Sequence, residues 1–125
     1  MKKEIIIIDD DAVYRMLIGK MINFAAPSLQ ISEAENGKIG LEKLKTLQGA
    51  SHEIIILLDV HMPIENGWGF LDEMQANDFY NLQNLTIYMV SSSIDESDQQ
   101  KAQQYNSVKE FLFKPLTNEQ IRAIV

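Results

Sequence analysis

The chain has 125 residues, of which 46% are hydrophobic and 23% are charged, a composition typical of one globular domain and not of a disordered or fibrous chain. Its net charge of -7, from 18 acidic and 11 basic residues, has the wrong sign for a surface that binds the phosphates of DNA or RNA. The absence of cysteine excludes disulfides and cysteine-ligated metals.

The first third of the chain predicts a strand, a helix and a second strand. Residues 5–8 are continuously apolar, as in strands that are covered on both faces of a parallel sheet. Residues 12–24 predict a helix that ends before Pro27, and residues 29–34 have a weaker strand pattern. The apolar residues at helical spacing are Val13, Met16, Leu17, Met21 and Phe24.

The central part predicts a helix, a strand and a further helix. The second helix begins near Asn36-Gly37 and ends near Gly49, and the third strand is the apolar run 54–58. The third helix follows that strand. The apolar positions of the two helices are Leu41, Leu44 and Leu47, and Trp68, Leu71 and Met74.

The last part predicts two more strands, at 85–90 and 108–113, after a polar loop at 77–84. The fourth helix, at about 95–105, is mostly polar, so only a narrow face of it can contact the core. The fifth begins at Thr117, where the sequence 117–120 has the pattern of an N-cap with a capping box. Its apolar positions are Ile121, Ile124 and Val125.

Strict alternation of strands and helices predicts a doubly wound α/β fold with a parallel sheet and right-handed crossovers. We expect one domain over residues 1–125. In such folds, ligands bind at the carboxyl ends of the strands where the strand order reverses. In the flavodoxin-like order 2-1-3-4-5 this point lies between the first and third strands. Asp9 and Asp10 end the first strand and Asp59 ends the third, so three carboxylates should meet there.

Three convergent carboxylates predict a site for a hard divalent cation such as Mg2+. Ser91 and Lys114 stand at the ends of the last two strands. A carboxylate, a metal, a hydroxyl and an ammonium group are the components that phosphoryl transfer onto an aspartate requires. Each residue also has a simpler interpretation: Asp11 as a helix start, Ser91 and Ser93 as loop residues, and Lys114 as a surface lysine.

Four motifs, IIIIDDD, LLDVHMPIENG, MVSSS and FLFKP, occur in this order at the predicted strand ends. Together they closely resemble the receiver domain of two-component response regulators, the family of the chemotaxis response regulator, over essentially the whole chain. The resemblance implies that Asp59 is the phosphoacceptor and that Asp10 binds Mg2+ directly, with Asp9 acting through water. The backbone carbonyl of His61 would be a third metal contact, and Mn2+ is a possible substitute.

The resemblance also implies how the site would respond to phosphorylation. Lys114 would bind phosphoryl oxygens, with a cis peptide bond before Pro115, and the hydroxyl of Ser91 would move toward the phosphoryl group. Phe111 is either the aromatic residue that then turns inward or a plain core residue. His61 and Ser93 occupy the two positions that tune hydrolysis of the acyl phosphate.

The function that we expect is a stand-alone, cytoplasmic receiver without an output domain, a phosphoacceptor signalling protein rather than an enzyme. Its phosphodonor would be a sensor histidine kinase or a histidine phosphotransfer protein. A downstream protein would bind the face formed by helix 4, strand 5 and helix 5, with no direct contact to nucleic acid or membrane. The apolar run 5–8 is too short for a signal peptide, and 54–58 is far short of the roughly 20 residues of a membrane helix.

Two alternatives remain. A Mg2+-dependent phosphatase acting through an aspartyl-phosphate usually needs a second acidic residue two positions after the nucleophile, where this chain has His61. A degenerate receiver would bind partners without phosphorylation, although the acidic residues, the hydroxyl and the lysine are all present.

Overall fold

The computed structural model describes residues 3–47, 52–77, 84–93 and 95–125. Within these ranges, five strands alternate with five helices. The strands are β1 (Lys3–Ile8), β2 (Gln30–Ala34), β3 (Glu53–Asp59), β4 (Leu85–Ser91) and β5 (Val108–Phe113). The helices are α1 (Ala12–Ala25), α2 (Gly37–Thr46), α3 (Gly67–Ala76), α4 (Glu96–Ala102) and α5 (Asn118–Ile124).

The strands form one parallel sheet in the order β2-β1-β3-β4-β5, which confirms the predicted flavodoxin-like fold. The two apolar runs lie side by side in the middle of the sheet, with Ile8 opposite Leu58. Alternate side chains of these strands enter two buried clusters, one on each face of the sheet. Coverage on both faces explains why the runs are continuously apolar.

Helix α1 lies where it was predicted, but most of its patterned apolar residues are exposed. Asp11 is its N-cap, and the buried residues are Ile18 and Ile22. Four of the five residues that predicted the helix are more than half exposed, namely Val13, Met16, Leu17 and Phe24. The helix carries apolar residues on more than one side, so their spacing predicts a helix without identifying the side that meets the sheet.

The other helices differ from the predictions mainly at their ends. α2 ends at Thr46, and the predicted end at Gly49 lies outside the described residues, as does most of the predicted loop at 77–84. α4 ends at Ala102, its buried residue, so the predicted extension to 105 is wrong. The capping box of α5 is present, with Thr117 and Gln120 each bonding the other's backbone N–H through a side-chain oxygen. No helix in the described ranges combines the length and apolar character that crossing a membrane requires.

We predict opposite effects of alanine at two glycines. A Cβ at Gly67 would lie 2.6 Å from the carbonyl oxygen of Asp59 and 3.1 Å from Cα of Val60, so Gly67→Ala should lower the free energy of unfolding by about 1–3 kcal/mol. At Gly19, inside α1, a Cβ would meet no described heavy atom within 4 Å. Gly19→Ala should therefore raise the free energy of unfolding by about 0.5–1 kcal/mol. Urea denaturation measures both, and equal effects would contradict the packing described at Gly67.

Candidate functional site

The carboxyl edge of the sheet brings the predicted polar residues together. Asp9 directly follows β1, Asp59 and Ser91 are the last residues of β3 and β4, and Lys114 directly follows β5. Because all strands are parallel, these positions lie at one edge of the sheet. The crossover connections therefore assemble a site from residues that are far apart in the sequence.

Three carboxylates form the acidic part of this site. One oxygen from each of Asp9, Asp10 and Asp59 lies within 4.8 Å of the others. Asp9 and Asp59 are only 2% and 6% exposed, whereas Asp10 is exposed to solvent. A donor set made only of carboxylate oxygens, with one of them open to solvent, suits Mg2+, which keeps several of its waters when protein-bound.

Lys114 provides the positive charge for the buried carboxylates. Its Nζ lies 2.6 Å from Oδ2 of Asp9 and 3.6 Å from Oδ1 of Asp59. Its backbone N–H donates to the carbonyl of Ser91 over 2.9 Å, and the peptide bond to Pro115 is cis. The end of β5 is thereby tied to the end of β4.

The environment of Asp59 disfavours its charged form. The net effect of its surroundings raises the pKa of its carboxyl group from 3.8 to about 6, mainly through burial and next through the negative charge of Asp9. The ammonium group of Lys114 lowers the pKa and so offsets part of the rise, while Asp10 raises it further. Lys114 therefore does not fully offset the effects of burial and of Asp9 on the carboxyl group of Asp59.

Asp9 is already bonded on two sides. Besides the ammonium of Lys114, its carboxylate accepts the backbone N–H of Asp11 over 2.9 Å. Asp11 in turn accepts the backbone N–H groups of Val13 and Tyr14 with its side chain, which confirms its interpretation as a helix start. The three consecutive aspartates thus have different surroundings.

The serines at the end of β4 and just after it form a short chain of side-chain to backbone bonds. Ser91 is fully buried, and its Oγ accepts the backbone N–H of Ser93 over 3.0 Å. Oγ of Ser93 accepts the backbone N–H of Asp95 over 3.2 Å. Asp95 is the N-cap of α4, so these bonds connect the buried hydroxyl at the site to the start of that helix.

His61 and Phe111 lie outside the group formed by the carboxylates and Lys114. The imidazole of His61 is 3.1 Å from Asp98 in α4, and its side chain is mostly exposed. Phe111 is half-buried and lies two residues before the end of β5. Its ring is edge-on to that of Phe113, with 5.4 Å between the two ring centroids. It packs against the buried cluster that includes residues of α2, α3 and α4.

Two residues at the site were missed by the sequence reasoning. The ring centroid of Tyr14 lies 4.2 Å from Nζ of Lys114. Burial, Asp9 and Asp59 raise the pKa of its hydroxyl well above the ordinary value. Arg15 donates to the backbone carbonyl of Asp9 over 2.6 Å and pairs with Glu33 at 2.9 Å. Their place at the start of a predicted helix directly after the acidic run is the signal that could have found them.

Comparison with known proteins identifies the family. Residues 5–125 match the model of the response regulator receiver domain. The chain is 30% identical over 116 residues to a protein-glutamate methylesterase/protein-glutamine glutaminase 1 of Syntrophomonas wolfei, covering 91% of this chain and 30% of that protein. It is 40% identical over 87 residues to a protein-glutamate methylesterase/protein-glutamine glutaminase of Treponema denticola, covering 69% of this chain and 20% of that protein. This chain thus spans less than a third of the length of these curated relatives.

Solved structures agree with this match. A two-component response regulator from Cytophaga hutchinsonii superposes with a TM-score of 0.87 at 28% identity, covering 99% of this chain and 95% of that one. A CheY-like response regulator receiver domain protein from Methanospirillum hungatei gives a TM-score of 0.75 at 25% identity, covering 97% of this chain and 89% of that one. Sequence, fold and the acidic site at the sheet edge lead to the same conclusion: this chain belongs to the response regulator receiver domain family.

Proposed function

We propose that this receiver domain accepts a phosphoryl group on Asp59 from a phosphohistidine and then changes a surface that binds another protein. The observation that carries the proposal is the position of Asp59 at the end of a central strand, with the ammonium of Lys114 at 3.6 Å and two further carboxylates beside it. A buried carboxylate that follows an apolar strand has no evident structural purpose.

The transfer is a displacement at phosphorus. A carboxylate oxygen of Asp59 forms a bond to phosphorus while the P–N bond to the donor histidine breaks, and the imidazole leaves with that electron pair. The ammonium of Lys114 lies close enough to Asp59 to bond the oxygens of the transferred group. The product is an acyl phosphate with about two negative charges.

The carboxylates of Asp10 and Asp59 would hold Mg2+, or Mn2+ in its place, with Asp9 acting through water and the backbone carbonyl of His61 as a further contact. Since Asp9 is already bonded by Lys114 and the N–H of Asp11, the exposed carboxylate of Asp10 is the better direct ligand. When bound, the ion supplies positive charge that reduces the repulsion between the carboxylates and the phosphoryl oxygens.

The response would begin at Ser91. If its hydroxyl moves toward a phosphoryl group on Asp59, it leaves the N–H of Ser93 and disturbs the bonds that lead to α4. Phe111 would follow by packing inward, and the face of α4, β5 and α5 would change for a downstream protein. Hydrolysis of the acyl phosphate would be tuned at His61 and Ser93.

A sensor histidine kinase or a histidine phosphotransfer protein is the proposed donor. The exposed apolar side of α1, formed by Val13, Met16 and Leu17, begins two residues after the acidic loop (residues 9–11) and supports docking of a protein there. Ile64, five residues after Asp59, is also exposed. We propose this receiver role, without catalysis on other substrates, for residues 1–125 as one domain in the cytoplasm.

Phosphorylation can be tested by the intact mass of the protein after incubation with Mg2+ and a small acyl phosphate. We expect one added phosphoryl group on the native protein and none on Asp59→Asn or in the presence of a chelator. Glu42→Gln, which changes an exposed carboxylate on α2, should be labelled like the native protein. Labelling of Asp59→Asn to the native extent would refute the assignment of Asp59.

The raised pKa of Asp59 predicts a pH-dependent stability. Its folded-state pKa, about 6, lies above the unfolded value near 3.8, so ionisation opposes folding, and stability is lost as the pH rises through this window. With chelator present, Asp59→Asn should be more stable than the native protein by about 2 kcal/mol at neutral pH. The advantage should vanish below the unfolded pKa. Urea denaturation of both proteins and of Glu42→Gln measures this, and a constant difference across the window would contradict it.

A further inference from the structure

The ammonium group of Lys114 has an aromatic neighbour besides the two carboxylates. Its Nζ lies 2.6 Å from Asp9, 3.6 Å from Asp59 and 4.2 Å from the ring centroid of Tyr14. The last distance is well inside the range in which a cation is attracted by an aromatic ring. The lysine side chain is mostly buried, so this attraction is weakly screened by solvent.

Tyr14 is held in place by the acidic loop itself. Its backbone N–H donates to the side chain of Asp11 over 3.2 Å, in the first turn of α1, and Arg15, the next residue, donates to the carbonyl of Asp9. The ring is therefore attached to the same segment that carries the acidic residues. Lys114 comes from the opposite end of the chain and meets this segment only in the folded protein.

The hydroxyl of Tyr14 does not account for the residue's position. It is buried and has no hydrogen-bond partner among the residues that the structure describes. Burial and the charges of Asp9 and Asp59 raise its pKa, so the group is neutral and adds no third negative charge beside the lysine. What the residue offers Lys114 is the ring.

We propose that Tyr14 is a positioning residue whose ring holds the ammonium group of Lys114 between Asp9 and Asp59, where it can bond a phosphoryl group on Asp59. This inference rests on the proposed function. The shorter contact of Lys114 is to Asp9, so without the ring the ammonium would shift toward Asp9 or toward solvent. In either place it would be farther from the group transferred to Asp59.

The test compares Tyr14→Met, which removes the ring but leaves a large apolar side chain, with Tyr14→Phe, which keeps the ring. Tyr105→Met is the matched control, because it is the same substitution at a half-buried tyrosine whose ring stacks on Trp68. The first readout is the proton chemical shift of the Lys114 methylene next to Nζ, which a ring face displaces upfield. The second is the rate of phosphorylation by a small acyl phosphate with Mg2+.

We expect the upfield shift in the native protein, its loss in Tyr14→Met and its return in Tyr14→Phe. Phosphorylation should slow by about tenfold in Tyr14→Met, a change that corresponds to about 1.4 kcal/mol in the barrier, and Tyr14→Phe should restore the rate. Tyr105→Met should leave both readouts at their native values. Urea denaturation of each variant separates these effects from loss of the fold.

Failure of this inference is distinct from failure of the proposed function. If the native protein takes up no phosphoryl group from a small acyl phosphate or from a phosphohistidine donor, the proposed function fails, and the chemical shift still tests the contact. No upfield shift in the native protein, or a native rate in Tyr14→Met, would overturn the role of the ring. A rate in Tyr14→Phe as low as in Tyr14→Met would assign the effect to the hydroxyl and overturn it equally.

Discussion

Two carboxylates buried at one edge of a parallel sheet, with a single ammonium group between them, are the constraint on which the site depends. Asp9 directly follows β1 and Asp59 ends the neighbouring β3, and both strands are apolar on both faces, so neither carboxylate can be hydrated fully. Lys114 reaches Asp9 across 105 positions of the sequence. Its charge does not fully offset burial and the charge of Asp9 at Asp59, whose pKa is raised, so a further cation beside Asp59 would stabilise its charged form.

The surroundings of this charge cluster suggest how a local change would reach the surface. The backbone of Lys114 is bonded to Ser91, and the hydroxyl of Ser91 is bonded to the segment that leads into α4. In α4, all of which the structure describes, Ala102 alone is buried, so this helix has little apolar contact to hold it. If the hydroxyl of Ser91 moves as proposed, a helix with so little apolar contact can change its position at a small cost in free energy.

Much of the fold and the site could be predicted from the sequence because both depend on short-range patterns. Continuous apolar runs alternating with helical patterns predicted a parallel, doubly wound sheet. The strand order 2-1-3-4-5 was that of the flavodoxin-like form of this fold, and within it the polar residues at the strand ends predicted the meeting of Asp9, Asp10 and Asp59. The buried side of α1 could not be predicted, since apolar residues surround that helix and only packing selects Ile18 and Ile22. Tyr14 was missed because a contact with Lys114 depends on tertiary structure, which helical periodicity does not contain.

The most direct test of the account is to locate the modified residue chemically. The protein is incubated with Mg2+ and a small acyl phosphate, the acyl phosphate is reduced with borohydride to convert the modified aspartate to homoserine, and the peptides are sequenced by mass spectrometry. The account predicts homoserine at position 59 alone. Homoserine at Asp9 or Asp10 instead would contradict the assignment of the phosphoacceptor and the arrangement of charges on which it rests.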